Sequence, residues 1–170
     1  MGWEQWKSAC RHGAIPMSDD FQDIEEWAAG LLARLKPAER RRVNRAVAVE
    51  LRRNESQRIA SQQEPDGSPF APRRAPKNLR GKKGQVRRKM FARLRTAQHM
   101  RIEATDTEAV VGYTGRSARI ALIHQEGRTD RPGRGQPAIR YPRRRLIGFT
   151  QTSRDRVLDT LAQHLAGRKL

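Results

Sequence analysis

Residues 67–102 hold many Lys and Arg side chains and not one Asp or Glu. Such a run cannot neutralise itself, so its charge must be met by something outside it: nucleic acid or an acidic protein face. The run lies between an amphipathic helical half and a mixed half that looks able to fold, which makes it an internal arm rather than a frayed tail. The chain as a whole has the same sign, with a formal charge of +18 over 170 residues.

That length suits one ordinary domain with extended appendages. A hydrophobic content of 36% and a mean hydropathy of −0.88 predict a modest core, with part of the surface covered only on assembly. Cys10 is the single cysteine, so no intramolecular disulfide forms, and no Cys/His cluster has structural zinc spacing. No apolar run reaches the roughly 18–20 residues that span a bilayer, and the first residues lack a secretory apolar stretch. A cytosolic product with no membrane contact and no cofactor is expected.

Residues 1–17 carry Trp3, Trp6 and Cys10 without a sustained period and read as an extension outside the fold; Met17, directly before Ser18, Asp19 and Asp20, reads as a second start. The following stretch, residues 18–63, is a helical segment. Its first helix has apolar Phe21, Ile24, Trp27, Ala28, Leu31, Leu32 and Leu35 in a stripe, with Asp19, Asp20, Asp23, Glu25 and Glu26 at its N-terminal end. Pro37 suits the first turn of a second helix over about residues 37–63, striped by Val43, Val47 and Leu51. Arg40, Arg41, Arg42, Arg45, Arg52, Arg53 and Arg58 around it form either a docking face or a solvated one.

Pro65, Asp66, Gly67, Pro69, Pro72 and Pro76 then break regular structure, and residues 64–85 read as an extended basic arm made flexible by Gly81 and Gly84. Residues 86–170 form the expected α+β core. A short helix over residues 86–98 presents Met90, Phe91 and Leu94. A β-hairpin follows, with Met100, Ile102 and Ala104 alternating before a turn at Asp106 and Thr107 and a return strand over residues 109–113. Residues 117–125 satisfy a strand or a helix equally, and Gly127 ends either. A basic loop covers residues 128–137 and an extended segment residues 139–149. Thr152 with Asp155 resembles a capping box for a final helix lined by Val157, Leu158, Leu161 and Leu165 and stopped by Gly167. The sum is an α+β fold: a helical pair, a basic arm, and a small antiparallel sheet flanked by a short helix and a C-terminal helix.

Catalytic signatures are missing. Gly81 and Gly84 lack the strand, helix and Lys-Ser/Thr pair of a phosphate loop. His124 and Glu126, two apart, share one side of a strand but not of a helix, and they are the best acid-base or metal pair; a structural role is the stronger reading. His12, His99 and His164 are scattered. In the basic run Phe70 and Phe91 are the only rings, so nucleic-acid contact would go to phosphates, tolerate any sequence and weaken with salt. The candidate interface cations are Arg73, Arg74, Lys77, Arg80, Lys82, Lys83, Arg87, Arg88 and Lys89 in the run, and Arg128, Arg131, Arg134, Arg143 and Arg144 in the later loops.

Five ordered blocks carry a family resemblance: residues 37–42, QQEPDGSPFAP at 62–72, GKKGQVRRKMFARL at 81–94, IALIHQEG at 120–127 and YPRRRLIGF at 141–149. Together, over about residues 18–167, they resemble the phage virion morphogenesis family, the tail completion proteins of contractile-tailed temperate phages. The resemblance marks Pro65, Gly67, Pro69, Phe70, Pro72, His124, Glu126, Gly127, Tyr141, Pro142, Gly148 and Phe149 as structural motif positions. It implies a structural protein of the virion tail or neck, made in the host cytoplasm, that finishes the tail and stabilises its joint with the DNA-filled head. The last two blocks are also similar to the wider neck-protein and tail-terminator group, in which a helix ending in an acidic residue and Gly precedes a Pro-aromatic segment and a final helix. That similarity implies a homo-oligomeric ring, with six subunits the expected number, set against tail-tube, sheath and connector proteins and, in its lumen, DNA. Lys36 departs from the pattern, which has Ser or Thr as the cap before Pro37, and residues 1–16 have no counterpart in it. Apart from the resemblance, the charge alone supports a non-specific phosphate-binding protein as the alternative.

Overall fold

Pro37 opens a long helix, α1 (Pro37–Ala60), because its missing N–H falls where no intrahelical acceptor exists. Lys36 precedes it in an extended conformation, φ −64 and ψ 151. Lysine offers no side-chain acceptor, but the Glu39 carboxylate accepts the Lys36 N–H at 3.1 Å, the returning half of a capping box. This is how the helix starts without a Ser or Thr cap. The computed structural model describes residues 29, 30, 33, 35–73, 89–133 and 135–166. Most of the expected first helix, the arm from Arg74 to Arg88, Arg134 and Gly167 lie outside the described residues.

After α1 the described elements are β1 (Met100–Ala104), β2 (Ala109–Tyr113), α2 (Gly115–Glu126), β3 (Thr129–Asp130), β4 (Ile139–Arg140) and α3 (Gln151–Leu165). The expected hairpin forms, with Met100 opposite Tyr113 and Ala104 opposite Ala109. Thr105 closes its turn: its N–H donates to Glu108 O at 2.9 Å and its hydroxyl accepts the Glu108 N–H at 3.0 Å. Helix α1 lies against both strands and against α3. Val43, Val47, Val157 and Leu161 form one core cluster, and Ile59, Phe70, Leu94, Met100, Tyr113, Ala118, Ala121 and Leu146 form the other. Two buried asparagines orient α1 in this packing. Asn44 donates to Thr105 O at 2.9 Å, and Asn54 donates to the Ser153 hydroxyl at 2.7 Å.

One element settles a choice the pattern leaves open, and three differ from the reading by pattern. Residues 117–125 are helical, since burying Ala118, Ala121, Leu122 and Gln125 together requires steps of three and four. Residues 89–99 form successive turns instead of a helix, because Phe91 takes φ 60, where a helix cannot continue. Its apolar patch still serves the core: Leu94 is buried, and Met90 and Phe91 pack beside it. The cap of α3 is Thr150 rather than Thr152. The Thr150 hydroxyl accepts the Ser153 N–H at 3.0 Å while the Ser153 hydroxyl accepts the Thr150 N–H at 3.3 Å, and Asp155 instead accepts from the Gln151 amide at 3.0 Å. Strand β3, inside the basic loop, pairs with β4 just beyond it, through Thr129 with Arg140 and Asp130 with Ile139.

Residues 64–72 are likewise no free arm. Glu64 N–H donates to Ser68 O at 2.7 Å and Phe70 N–H to Gln62 O at 2.8 Å, so the chain doubles back around Gly67, whose φ of +84 suits glycine. The turn drives the Phe70 ring into the core.

Candidate functional site

The C-terminal end of α1, the turn after it and residues 141–149 are joined by a buried polar clasp. Arg58 donates to Gln63 O at 2.7 Å, Arg145 O at 3.0 Å and Leu146 O at 2.9 Å, and pairs with the Glu55 carboxylate one turn earlier. The carbonyls it binds belong to irregular backbone with no ladder partner, so the guanidinium replaces a missing strand. Burial pushes the Glu55 carboxyl up to about 7, against the opposing pull of Arg58 and of the Gly148 N–H. Burial also raises the Tyr113 hydroxyl, and the Glu55 charge adds to that.

Two more side chains hold the same segment. Gln125, in the last turn of α2, accepts the N–H groups of Leu146 at 2.8 Å and Ile147 at 3.1 Å and donates to Ile147 O at 2.8 Å. Glu64 accepts the Arg145 N–H at 2.9 Å, and the Arg145 guanidinium reaches both Glu64 and Asp66. The hydrogen bonds that Asp66 takes from Ser68 hold its carboxyl below the usual range.

Arg144 points inward and is 3% exposed. It donates to Ala71 O at 2.7 Å and Pro72 O at 2.8 Å, and its third contact is His124 Nδ1 at 3.2 Å. A guanidinium only donates, so Nδ1 is the acceptor and the ring proton sits on Nε2. Burial, then the Arg144 charge, push the His124 imidazole down to about 4, so it is neutral at physiological pH. His124 is the centre of an aromatic column, 4.8 Å from the Phe91 ring and 5.2 Å from the Tyr141 ring, with Phe70 a further 5.7 Å beyond Phe91. The rings meet edge to face, the arrangement their quadrupoles favour.

Beside this column lies a groove of about 800 Å³, with Arg73 and Lys89 among its lining residues. Its wall is Met90, Phe91, Leu94, Ile139 and Tyr141; Arg73, Lys89, Arg93 and Arg140 stand around it, and no carboxylate lines it among the described residues. A second hollow of about 620 Å³ between α1 and α3 has both signs, with Arg42, Arg45 and Arg156 facing Glu50 and Asp159.

The residues singled out by sequence thus fall into distinct places. Arg73 and Lys89 are exposed at the groove, while Arg74, Lys77, Arg80, Lys82, Lys83, Arg87, Arg88 and Arg134 lie outside the described residues. Arg128 pairs with Glu126, Arg131 lends its N–H to Asp130, and Arg143 donates to Gln125 O at 3.3 Å. Arg144, expected to face outward, is an internal strut. His124 and Glu126 do not work as a pair: two residues apart on a helix they diverge, one to Arg144 and the other to Arg128. Among the described residues no three His, Cys, Asp or Glu converge as metal ligands, and no helix is long and apolar enough to cross a membrane.

The motif positions are largely structural. Phe70 is core, Pro72 O binds Arg144, and Pro69 bridges to Gln63. Pro65 packs on Gly148, where an added Cβ would lie 2.4 Å from the proline ring. Gly127 ends α2 at φ +71 and would meet Arg143 N at 3.1 Å. Pro142 and Phe149 are exposed. Sequence reasoning missed Glu55, Glu64, Gln125 and Arg145, and it placed Arg58 on an exposed helix face although it is buried. The available signal was spacing: Asn44, Asn54, Glu55 and Arg58 share the helical stripe of Val43, Val47 and Ile59, and polar residues on an apolar stripe mark buried hydrogen bonding.

Residues 19–166 match the model of the phage virion morphogenesis family. Tail completion protein S of Escherichia phage P2 is 36% identical over 148 residues, which cover 86% of this chain and 98% of that protein. No solved structure matches.

Proposed function

This chain belongs to the phage virion morphogenesis family and is a structural tail completion protein, not an enzyme; we propose that it acts as a ring, with six copies expected, that caps the tail tube and joins tail to head. It is a phage structural protein of the tail or neck region. The observation that carries the ring reading is the set of exposed cations at the groove, Arg73, Lys89, Arg93 and Arg140, which make no ion pair among the described residues, whereas Arg58 and Arg144 are buried and bind backbone carbonyls. Cations left in this way are suited to carboxylates on a neighbouring protein, for which arginine's planar fork is well shaped. Arginines lining the ring's lumen would touch DNA phosphates.

Native mass spectrometry of the full chain, with and without tail tube, tests this. A closed ring, or one that forms only on the tube, supports it; a persistent monomer that ignores the tube overturns it. Replacing Arg87, Arg88 and Lys89 together by Glu should block tail-to-head joining and leave tube polymerisation intact, and normal infectious particles from that variant would count against the joining role. The formal charge of +18 favours a second reading, non-specific phosphate binding. It requires duplex binding that falls steeply with salt in fluorescence anisotropy, and no binding at low salt removes it.

A further inference from the structure

Resting on the ring reading, we propose that the groove beside Phe91, His124 and Tyr141 receives residues 19–27 of a neighbouring copy of this chain. The groove asks for a particular chemistry. Its wall is apolar and aromatic, four cations stand around it, and among the described residues no acid lines it. Its occupant should therefore carry apolar side chains at short intervals with carboxylates between them.

The chain holds one block of that kind. Five of its 18 Asp and Glu fall within residues 19–26, interleaved with Phe21, Ile24 and then Trp27, and no Lys or Arg occurs from residue 12 to residue 33. Many of the other acids are already engaged: Glu50, Glu55, Glu64, Asp66, Glu126 and Asp130 all pair with arginines of the same chain. The acidic block is thus the chain's own counterpart to the groove.

Reach decides which copy supplies it. The groove lies past the C-terminal end of α1, where Gln62 binds both the N–H and the carbonyl of Met90, at 2.6 and 3.0 Å. The 24 residues of α1 span about 36 Å. A stretch with the helical period of residues 21–35 advances only about 26 Å from Lys36 back to Asp19. If the helix expected from sequence over these residues forms, it would fall short of its own groove, whereas a neighbour's groove is not so constrained. A groove on one face that takes a segment from another face is a head-to-tail contact, the kind that closes into rings.

The test uses the full chain at moderate salt with its tail tube, assembled from a mixture of ¹⁴N- and ¹⁵N-labelled copies in which Trp27 is replaced by a photoreactive benzoylphenylalanine. Cross-links from position 27 to residues 89–94 or 139–142 that join a light copy to a heavy one are expected. Cross-links to the groove within one copy overturn the proposal, as does a ring whose position 27 never reaches any groove; in both cases the ring reading survives. Failure to form any oligomer overturns both. As a second readout, Arg93→Glu with Arg140→Glu should weaken ring association roughly tenfold, and adding Asp23→Arg with Glu26→Arg in the same chain should restore it. Both groove arginines are exposed, so the fold is retained. If the Arg93→Glu/Arg140→Glu variant assembles normally but loses binding to a single-stranded oligonucleotide, the groove is a nucleic-acid site instead and the proposal falls.

Discussion

Glu55 and His124 titrate in opposite senses inside one core. Glu55 has its folded pKa raised to about 7 from 4.5, so the folded state holds a proton that the unfolded chain gives up, and stability falls as pH rises through that window. His124 has its folded pKa lowered to about 4 from 6.5, so the unfolded chain binds the extra proton, and stability rises with pH between those values. The two slopes nearly cancel between pH 4.5 and 6.5. Urea midpoints across this range should be nearly flat in the parent chain, should rise with pH in Glu55→Gln, and should fall with pH up to about 7 in His124→Asn. A parent profile as steep as either variant would contradict this coupling. Arg58→Met leaves Glu55 buried without its cation and should cost about 3–5 kcal/mol at neutral pH, with Glu55→Gln added to it recovering part of the loss.

The clasp is an arrangement of elements, and its weak points lie where one element must fit another. Gln125→Leu keeps the helix but strips the N–H groups of Leu146 and Ile147 of their acceptor, and should lower stability by about 3 kcal/mol in urea denaturation with an unchanged slope. Gly148→Ala presses a methyl group into the Pro65 ring and should cost about 1–3 kcal/mol, whereas Pro65→Ala in the same chain should relieve most of it. Thr150→Ala removes the cap of α3 and should cost about 1 kcal/mol. The elements that were legible in sequence are those whose signal is local. Pro37 marks a helix start by its own missing N–H, and Met100, Ile102 and Ala104 mark a strand by alternation. The clasp was not legible, because an arginine at position 58 looks the same whether it meets water or three carbonyls supplied by residues 63, 145 and 146. The turn at residues 89–99 was misread because the Gln62 amide, 28 residues earlier, holds Met90 in place of a helical partner. The groove combines both cases. Of its cations Arg73 and Lys89 stand out in the sequence while Arg93 and Arg140 do not, and their common neighbourhood exists only after Tyr141 is folded against Phe91 and His124.

At the scale of the whole molecule, copies that each carry +18 repel one another before any groove can be filled. Raising salt from about 10 mM to 150 mM shortens the Debye length from about 30 Å to 8 Å, which removes that long-range repulsion while leaving close pairs less affected. Self-association without tail tube should therefore be weakest at the lowest salt and increase on the way to 150 mM, as sedimentation velocity would show; a steady decline from the lowest salt upward would mean that attraction dominates at every range. The anchoring of the acid-free stretch also has a mechanical side. Arg144 grips the backbone at Ala71 and Pro72, and Gln62 grips it at Met90, so the segment between them leaves the core from two fastened points. Each of those two points is held by two hydrogen bonds, which must break together before it yields. The body thus holds the chain firmly on either side of that stretch, at Ala71 and Pro72 before it and at Met90 after it.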